Sequence, residues 1–317
     1  MARLLRAVGV AAMAAAILGC STTATATQQV AAEYFNIANA YAQIEQYDKA
    51  IQYYRNALRV DPGMVQASSN LALALIKQGQ MAEAEGIFTQ LLTTDPQNET
   101  VMSWLAWALH VDGKDEESLA EFDKILEISP ENQDAWYNSG LILWKMDRAR
   151  EALDRFQKLL DLAPADADAL FDAGSICLVL EDAQMAVDYL DRYLQAKPDD
   201  ADAQLLLADA YERLEKYSQA LDAYDRVVAL NAKEARGWFG KARLLLTVVE
   251  DPDKGISALS QALDQGFSDT DAVKVLLDSP ILQDRSDVEA ALKAHNMLPT
   301  QETSPEATPP PKGSQSN

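Results

Sequence analysis

Histidine and cysteine are scarce in this chain, with two of each in 317 residues. Cys20 stands beside the amino terminus and Cys177 is alone in the rest of the chain, so no internal disulfide framework can be assembled. Only His110 and His295 could exchange protons near neutral pH, and neither has a suitable partner nearby in the sequence. Glycine-rich phosphate loops, nucleophile elbows and zinc-ligand spacings are missing too, which leaves enzymatic chemistry and cofactors without residues to carry them. Basic charge is in short supply: 27 Lys and Arg stand against 49 Asp and Glu, a net charge of −22. Such a surface lacks the cationic stripe that displaces counterions from phosphates, and nucleic acid is excluded as a partner. The acidic runs Asp166-Ala167-Asp168 and Asp199 to Asp202 lack the glycine bend and bidentate glutamate of a calcium loop. They read as caps at helix starts, where the backbone dipole favours negative charge.

What the chain does have is a period. Ala38, Ala72, Ala106, Gly140, Gly174, Ala208 and Ala242 place a small residue at steps of 34. Twelve residues after each of the first six come Ala50, Ala84, Ser118, Ala152, Ala186 and Ala220, and four further come Tyr54, Phe88, Phe122, Phe156, Leu190 and Tyr224. The first five units end at Pro62, Pro96, Pro130, Pro164 and Pro198. Inside each unit the apolar residues recur at three and four, the mark of an amphipathic helix. A turn near Gly79 or Gly113 divides the unit into two helices, small residues let them approach closely, and proline stops the second.

This pattern resembles the tetratricopeptide repeat family. The resemblance implies an all-α, right-handed α-solenoid of about seven helix-turn-helix units over residues 31–268, with a C-terminal helical cap over 269–297. Ala232 stands where the sixth unit should have its proline, so its second helix is expected to run on into the seventh. The segment TVVEDPDKG in the seventh carries one extra residue, and Gly255 takes the small place. The last helix is expected from Ser286, with Ser286 and Glu289 at capping-box spacing and His295 solvated at its end. Residues 298–317, rich in proline, read as a disordered tail.

The first residues form a separate unit. Arg3 and Arg6 precede an apolar run from Val8 to Leu18, too short to cross a bilayer, and Ile17-Leu18-Gly19-Cys20 follows. This order resembles a bacterial lipoprotein signal over residues 1–19, which implies that Cys20 is acylated and becomes the mature amino terminus. A plain secretory signal cleaved nearby is the competing reading. Residues 20–30 would then tether the repeats to the membrane, and Ser21 points, by analogy with enteric sorting, to the outer membrane facing the periplasm.

By the family resemblance, the fifth, ninth and twelfth places of each unit face an inner groove. These places supply Phe35, Asn39, Leu73, Ile76, Trp107, His110, Tyr137, Leu141, Trp144, Phe171 and Leu178, with Asp134, Asp168 and Asp202 along one edge. An apolar strip with tryptophan and tyrosine implies a partner-binding surface. A tightly wound stack would instead bury these side chains between repeats, Leu73 and Leu141 first. The expected function is a membrane-anchored scaffold, not an enzyme. It would bind another envelope protein or a peptide segment with apolar anchors and basic flanks. A surface adhesin and a periplasmic carrier of an apolar ligand are the alternatives.

Overall fold

The computed structural model describes residues 26–298, and Cys20 and the tail beyond 298 lie outside them. Among the described residues the secondary structure is helical, without strands. Seven hairpins follow one another: α1 (26–43) with α2 (Tyr47–Val60), α3 (Val65–Lys77) with α4 (Met81–Thr94), α5 (Glu99–Val111) with α6 (Asp115–Ile128), and α7 (Gln133–Lys145) with α8 (Ala149–Leu162). The series continues with α9 (Ala167–Val179) and α10 (Ala183–Ala196), α11 (Ala201–Arg213) and α12 (Tyr217–Leu230), and α13 (Ala235–Thr247) and α14 (Pro252–Asp264). Two shorter helices close the described chain, α15 (Thr270–Asp278) and α16 (Arg285–Ala294). The chain divides into an amino-terminal unit ending at Pro164, which holds α1 to α8, and a carboxy-terminal unit beginning at Ala165, which holds α9 to α16. Residues 26–30 are the opening turns of α1, so the tether read from the sequence stops short of them.

The periodic residues explain why the hairpins close. Ala38, Ala72, Ala106, Gly140, Gly174, Ala208 and Ala242 are all buried. A methyl group added to Gly140 would come within 3.0 Å of the Phe156 ring, and one added to Gly174 within 2.8 Å of Leu190. The large residue of the second helix therefore sits directly on the small residue of the first. Each such aromatic contributes about 3–5 kcal/mol, judged by what its truncation to alanine costs in a core. Ser118, the polar exception among the small places, is buried and donates to Ala106 O at 2.6 Å.

The turns repeat as faithfully. Glu45, Gly79, Gly113, Asp147, Glu181 and Glu215 occupy the same place in successive hairpins, all with φ between 56° and 80°. In the seventh hairpin the left-handed residue is Glu250, one position later, which is where the extra residue is absorbed. Helix starts are capped by side chains at a second fixed place: Asn98 accepts from Val101 N, Asn132 from Ala135 N, Asp166 from Ala169 N and Asp200 from Ala203 N, at 2.9–3.1 Å.

Two expectations about boundaries are corrected. The sixth unit does not run into the seventh, because α12 stops at Leu230 and Asn231 turns the chain by accepting from Lys233 N at 3.1 Å. Asparagine does here what proline does elsewhere. Helix α16 begins at Arg285 after Asp284 in a left-handed conformation, so Ser286 lies inside the first turn and no capping box forms.

Helices α15 and α16 cover the end of the repeats. Phe239 stacks on Phe267 at 4.0 Å, and Val273, Leu276, Val288 and Leu292 are fully buried with them. His295 is not merely solvated: one ring nitrogen faces Ala291 O and the other Asp264 Oδ1, each at 3.0 Å, which ties α16 to α14.

Candidate functional site

Within the amino-terminal unit two hollows share one wall, and the wall is a pair of tryptophans. Trp104 and Trp107 stand three residues apart on α5, so both project from one side of the helix. Their rings meet edge to face at 6.1 Å, and Trp104 keeps 37% of its surface exposed. The first hollow, about 600 Å³, is framed by Asn39, Tyr47, Asn70, Leu73 and Lys77 together with both tryptophans. The second, about 550 Å³, lies between α5 and α7 and includes Glu99, Ser103, His110, Asp134 and Leu141 with the same two rings.

Their chemistry differs. In the first, Asn39 Oδ1 accepts from Tyr54 Oη at 2.6 Å and from Asn70 Nδ2 at 3.0 Å, which fixes the amide at the base. The Lys77 ammonium lies 5.6 Å from the Trp107 ring centre, a cation–π contact at the rim. The second hollow is acidic. Glu99 accepts from Ser129 Oγ and Asn132 Nδ2, and these bonds hold its carboxyl below the usual carboxylate range, so it is charged at neutral pH. His110 donates from Nδ1 to Asp115 at 2.5 Å and stands half-buried beside Trp107.

The structure sorts the sequence-derived groove residues into those that line the hollows and those that do not. Asn39, Leu73, Trp107, His110, Asp134 and Leu141 line one or the other. Ile76 does not: it is buried in the same cluster as Leu105 and Leu109 of the next hairpin. Phe35 leans on Tyr54 at 5.9 Å and Tyr137 on Phe156 at 5.7 Å, each serving its own hairpin. Trp144 is half-buried and borders neither hollow. Burial thus falls on Ile76 and not, as a tightly wound stack would have it, on Leu73 and Leu141, which are half-buried. Trp104 was missed by the sequence reading because it occupies the sixth place, outside the three that the resemblance assigns to the groove. The i, i+3 spacing of two tryptophans was the available signal.

In the carboxy-terminal unit Leu178 is buried and Phe171 packs on Tyr193 at 5.3 Å. The equivalent places of α11 and α13 carry ion pairs instead. Glu212 accepts from Tyr224 Oη and Arg243, and Arg213 pairs with Asp209 at 2.8 Å. Asp168 and Asp202, expected to await a basic partner, already face Lys197 at 3.7 Å and Arg236 at 3.3 Å. Cys177 is fully buried, and loss of solvent pushes its thiol up to about 12, which makes it inert as a nucleophile.

Two family models described as tetratricopeptide repeat match the chain, one at residues 35–99 and 137–201, the other at 75–139 and 178–244. The chain belongs to the tetratricopeptide repeat family. Scaffolds of this family generally mediate protein–protein interaction and are typically non-enzymatic. No curated protein matches the chain. Among solved structures, the tetratricopeptide protein YrrB, described as having an unusual peptide-binding site, is 21% identical with a TM-score of 0.54, covering 59% of this chain and 96% of its own. The C-terminal part of a repeat-containing protein from Cytophaga hutchinsonii gives a TM-score of 0.65 at 13% identity, covering 76% and 98%. PilF of Pseudomonas aeruginosa gives 0.52 at 19% identity, covering 67% and 96%. At these identities the likeness is one of fold. It places tetratricopeptide hairpins, but no ligand, in the present chain.

Proposed function

We propose that this tetratricopeptide repeat protein is a lipid-anchored scaffold of the bacterial envelope that grips a segment of another envelope protein between two apolar anchors. The observation that carries the reading is the Trp104–Trp107 wall with a hollow on either side. Exposed tryptophan flanked by concave surface is the usual composition of an interface hot spot. A segment that puts one apolar side chain into each hollow would straddle Trp104. A basic residue on the α7 side would meet Glu99 and Asp134. YrrB, with its peptide-binding site, supports a peptide as the class of occupant. The lipid reading rests on the Ile17-Leu18-Gly19-Cys20 sequence, and Ser21 after it favours, by analogy with enteric sorting, the outer membrane facing the periplasm.

The test is photocrosslinking in cells with a photoreactive residue at position 103, which lines the second hollow and leaves both rings in place, followed by recovery of the captured protein when Trp104→Ala and Trp107→Ala are added to that probe. Removal of either ring should lower recovery about tenfold or more, the scale of an interface hot spot. Undiminished recovery from the double variant would eliminate this wall as the binding surface. The anchor is tested separately. Cys20→Ser should abolish incorporation of labelled palmitate into the protein, and continued incorporation would refute acylation at that residue.

A further inference from the structure

A different kind of site lies in the carboxy-terminal unit, between α10, α11 and α12. Gln204 on α11 is only 1% exposed, yet neither Nε2 nor Oε1 has a hydrogen-bond partner. A buried amide left unbonded gives up the hydrogen bonds it would make in water, so its retention calls for an explanation. The place itself is apolar in the neighbouring units: Met102, Trp136, Leu170 and Trp238 stand at the equivalent position. Gln204 lines a hollow of about 210 Å³ together with Leu207, Ala223, Asp191, Tyr211, Gln219, Asp222 and Arg226.

The lining has an order to it. Gln204, Leu207 and Ala223 are buried and form the floor, Asp191 and Tyr211 are half-buried walls, and Asp222 and Arg226 are exposed at the rim. The Tyr211 hydroxyl faces Asp191 Oδ2 at 3.5 Å, a distance that leaves the carboxylate weakly held. Burial raises the Asp191 carboxyl above its ordinary value, opposed by Tyr211 and by the positive charges of Arg226 and Lys216. A floor with one free donor and one free acceptor, beneath walls and rim that carry charges of both signs, is complementary to a molecule that itself carries both.

We infer that this hollow binds a small zwitterion of amino-acid size, its ammonium group meeting Asp191 and Gln204 Oε1 and its carboxylate meeting Arg226 and Gln204 Nε2. The ligand completes both orphaned amide bonds at once and gives Asp191 a cation in direct contact, which Arg226 and Lys216, acting only through their charge, do not supply. Water could satisfy the amide, but it would leave the charged groups as they are. The site lies within the carboxy-terminal unit and does not depend on the tryptophan wall for its argument.

The test is a thermal-shift and calorimetric screen of the full chain against the twenty free amino acids, each as its own probe, followed by the Gln204→Leu and Asp191→Asn variants. At least one amino acid should bind saturably and raise the melting temperature. Asp191→Asn should weaken that binding at least tenfold. Gln204→Leu should abolish it while raising the melting temperature of the unliganded protein by about 3 °C, because leucine is the residue that the fifth unit carries at this place. Absence of any saturable binding would overturn the proposal. So would binding that survives both substitutions, or a crystal structure soaked with the best probe that shows water only.

Discussion

Two glycines set the limits of what single positions tolerate. A methyl group at Gly240 would fall 2.2 Å from the Tyr224 ring, and that ring cannot retreat while its hydroxyl is bonded to Glu212. Gly240→Ala should therefore destabilise the protein by about 2–3 kcal/mol in denaturant unfolding, the cost of an overpacked core. Gly86 is the opposite case, exposed in the middle of α4 with nothing within 4 Å of the added atom. Gly86→Ala should stabilise by about 0.5–1 kcal/mol through lost chain freedom. The two substitutions are chemically identical, so a common sign for both would contradict the packing described. At this scale the sequence was partly legible. The small and large places follow from the period, but Ile76 reads the same as Leu73 until the next hairpin is seen to cover it. Trp104 was hidden for the converse reason: its place is not one that the family pattern assigns to the inner face.

Among the elements, the hairpins were legible and their exceptions less so. A missing proline at Ala232 suggested a continuous helix, but an asparagine one residue earlier supplies the turn by a side-chain bond, which composition alone does not reveal. The contact between α16 and α14 was equally invisible, since Asp264 and His295 lie 31 residues apart. It makes the terminal helix sensitive to pH. His295 faces an acceptor at each ring nitrogen, and both bonds require the protonated imidazole. The Ala291 carbonyl first, then Asp264, raise its value above 6.5. The stabilisation is thus complete at pH below the unfolded-state value and is lost as pH rises through the raised, folded-state one. The protection factors of the α16 amides, which correct exchange for its intrinsic rise with pH, should fall as pH rises above about 6.5, and His295→Gln should flatten that dependence. Protection factors in α16 that stay constant as pH rises in the parent protein would show that the contact contributes nothing.

For the molecule as a whole the dominant fact is the surplus of acid. With 49 carboxylates against 27 basic groups, self-repulsion outweighs attraction once the local ion pairs have formed. Raising ionic strength from about 10 to about 150 mM shortens the Debye length from about 30 to about 8 Å and should raise the melting temperature. A fall would mean that the surface pairs, such as Arg55 with Glu83 at 2.7 Å, matter more than the excess. The two units differ in how they use that charge. In the amino-terminal unit two open hollows lie against indole rings. In the carboxy-terminal unit Glu212 is claimed by Arg243 and Tyr224, and Asp209 by Arg213. A visitor arriving there must first evict an incumbent before making a bond of its own, so each new contact is offset by one broken. The tryptophan wall can thus be met without breaking a bond, whereas the Glu212 face cannot.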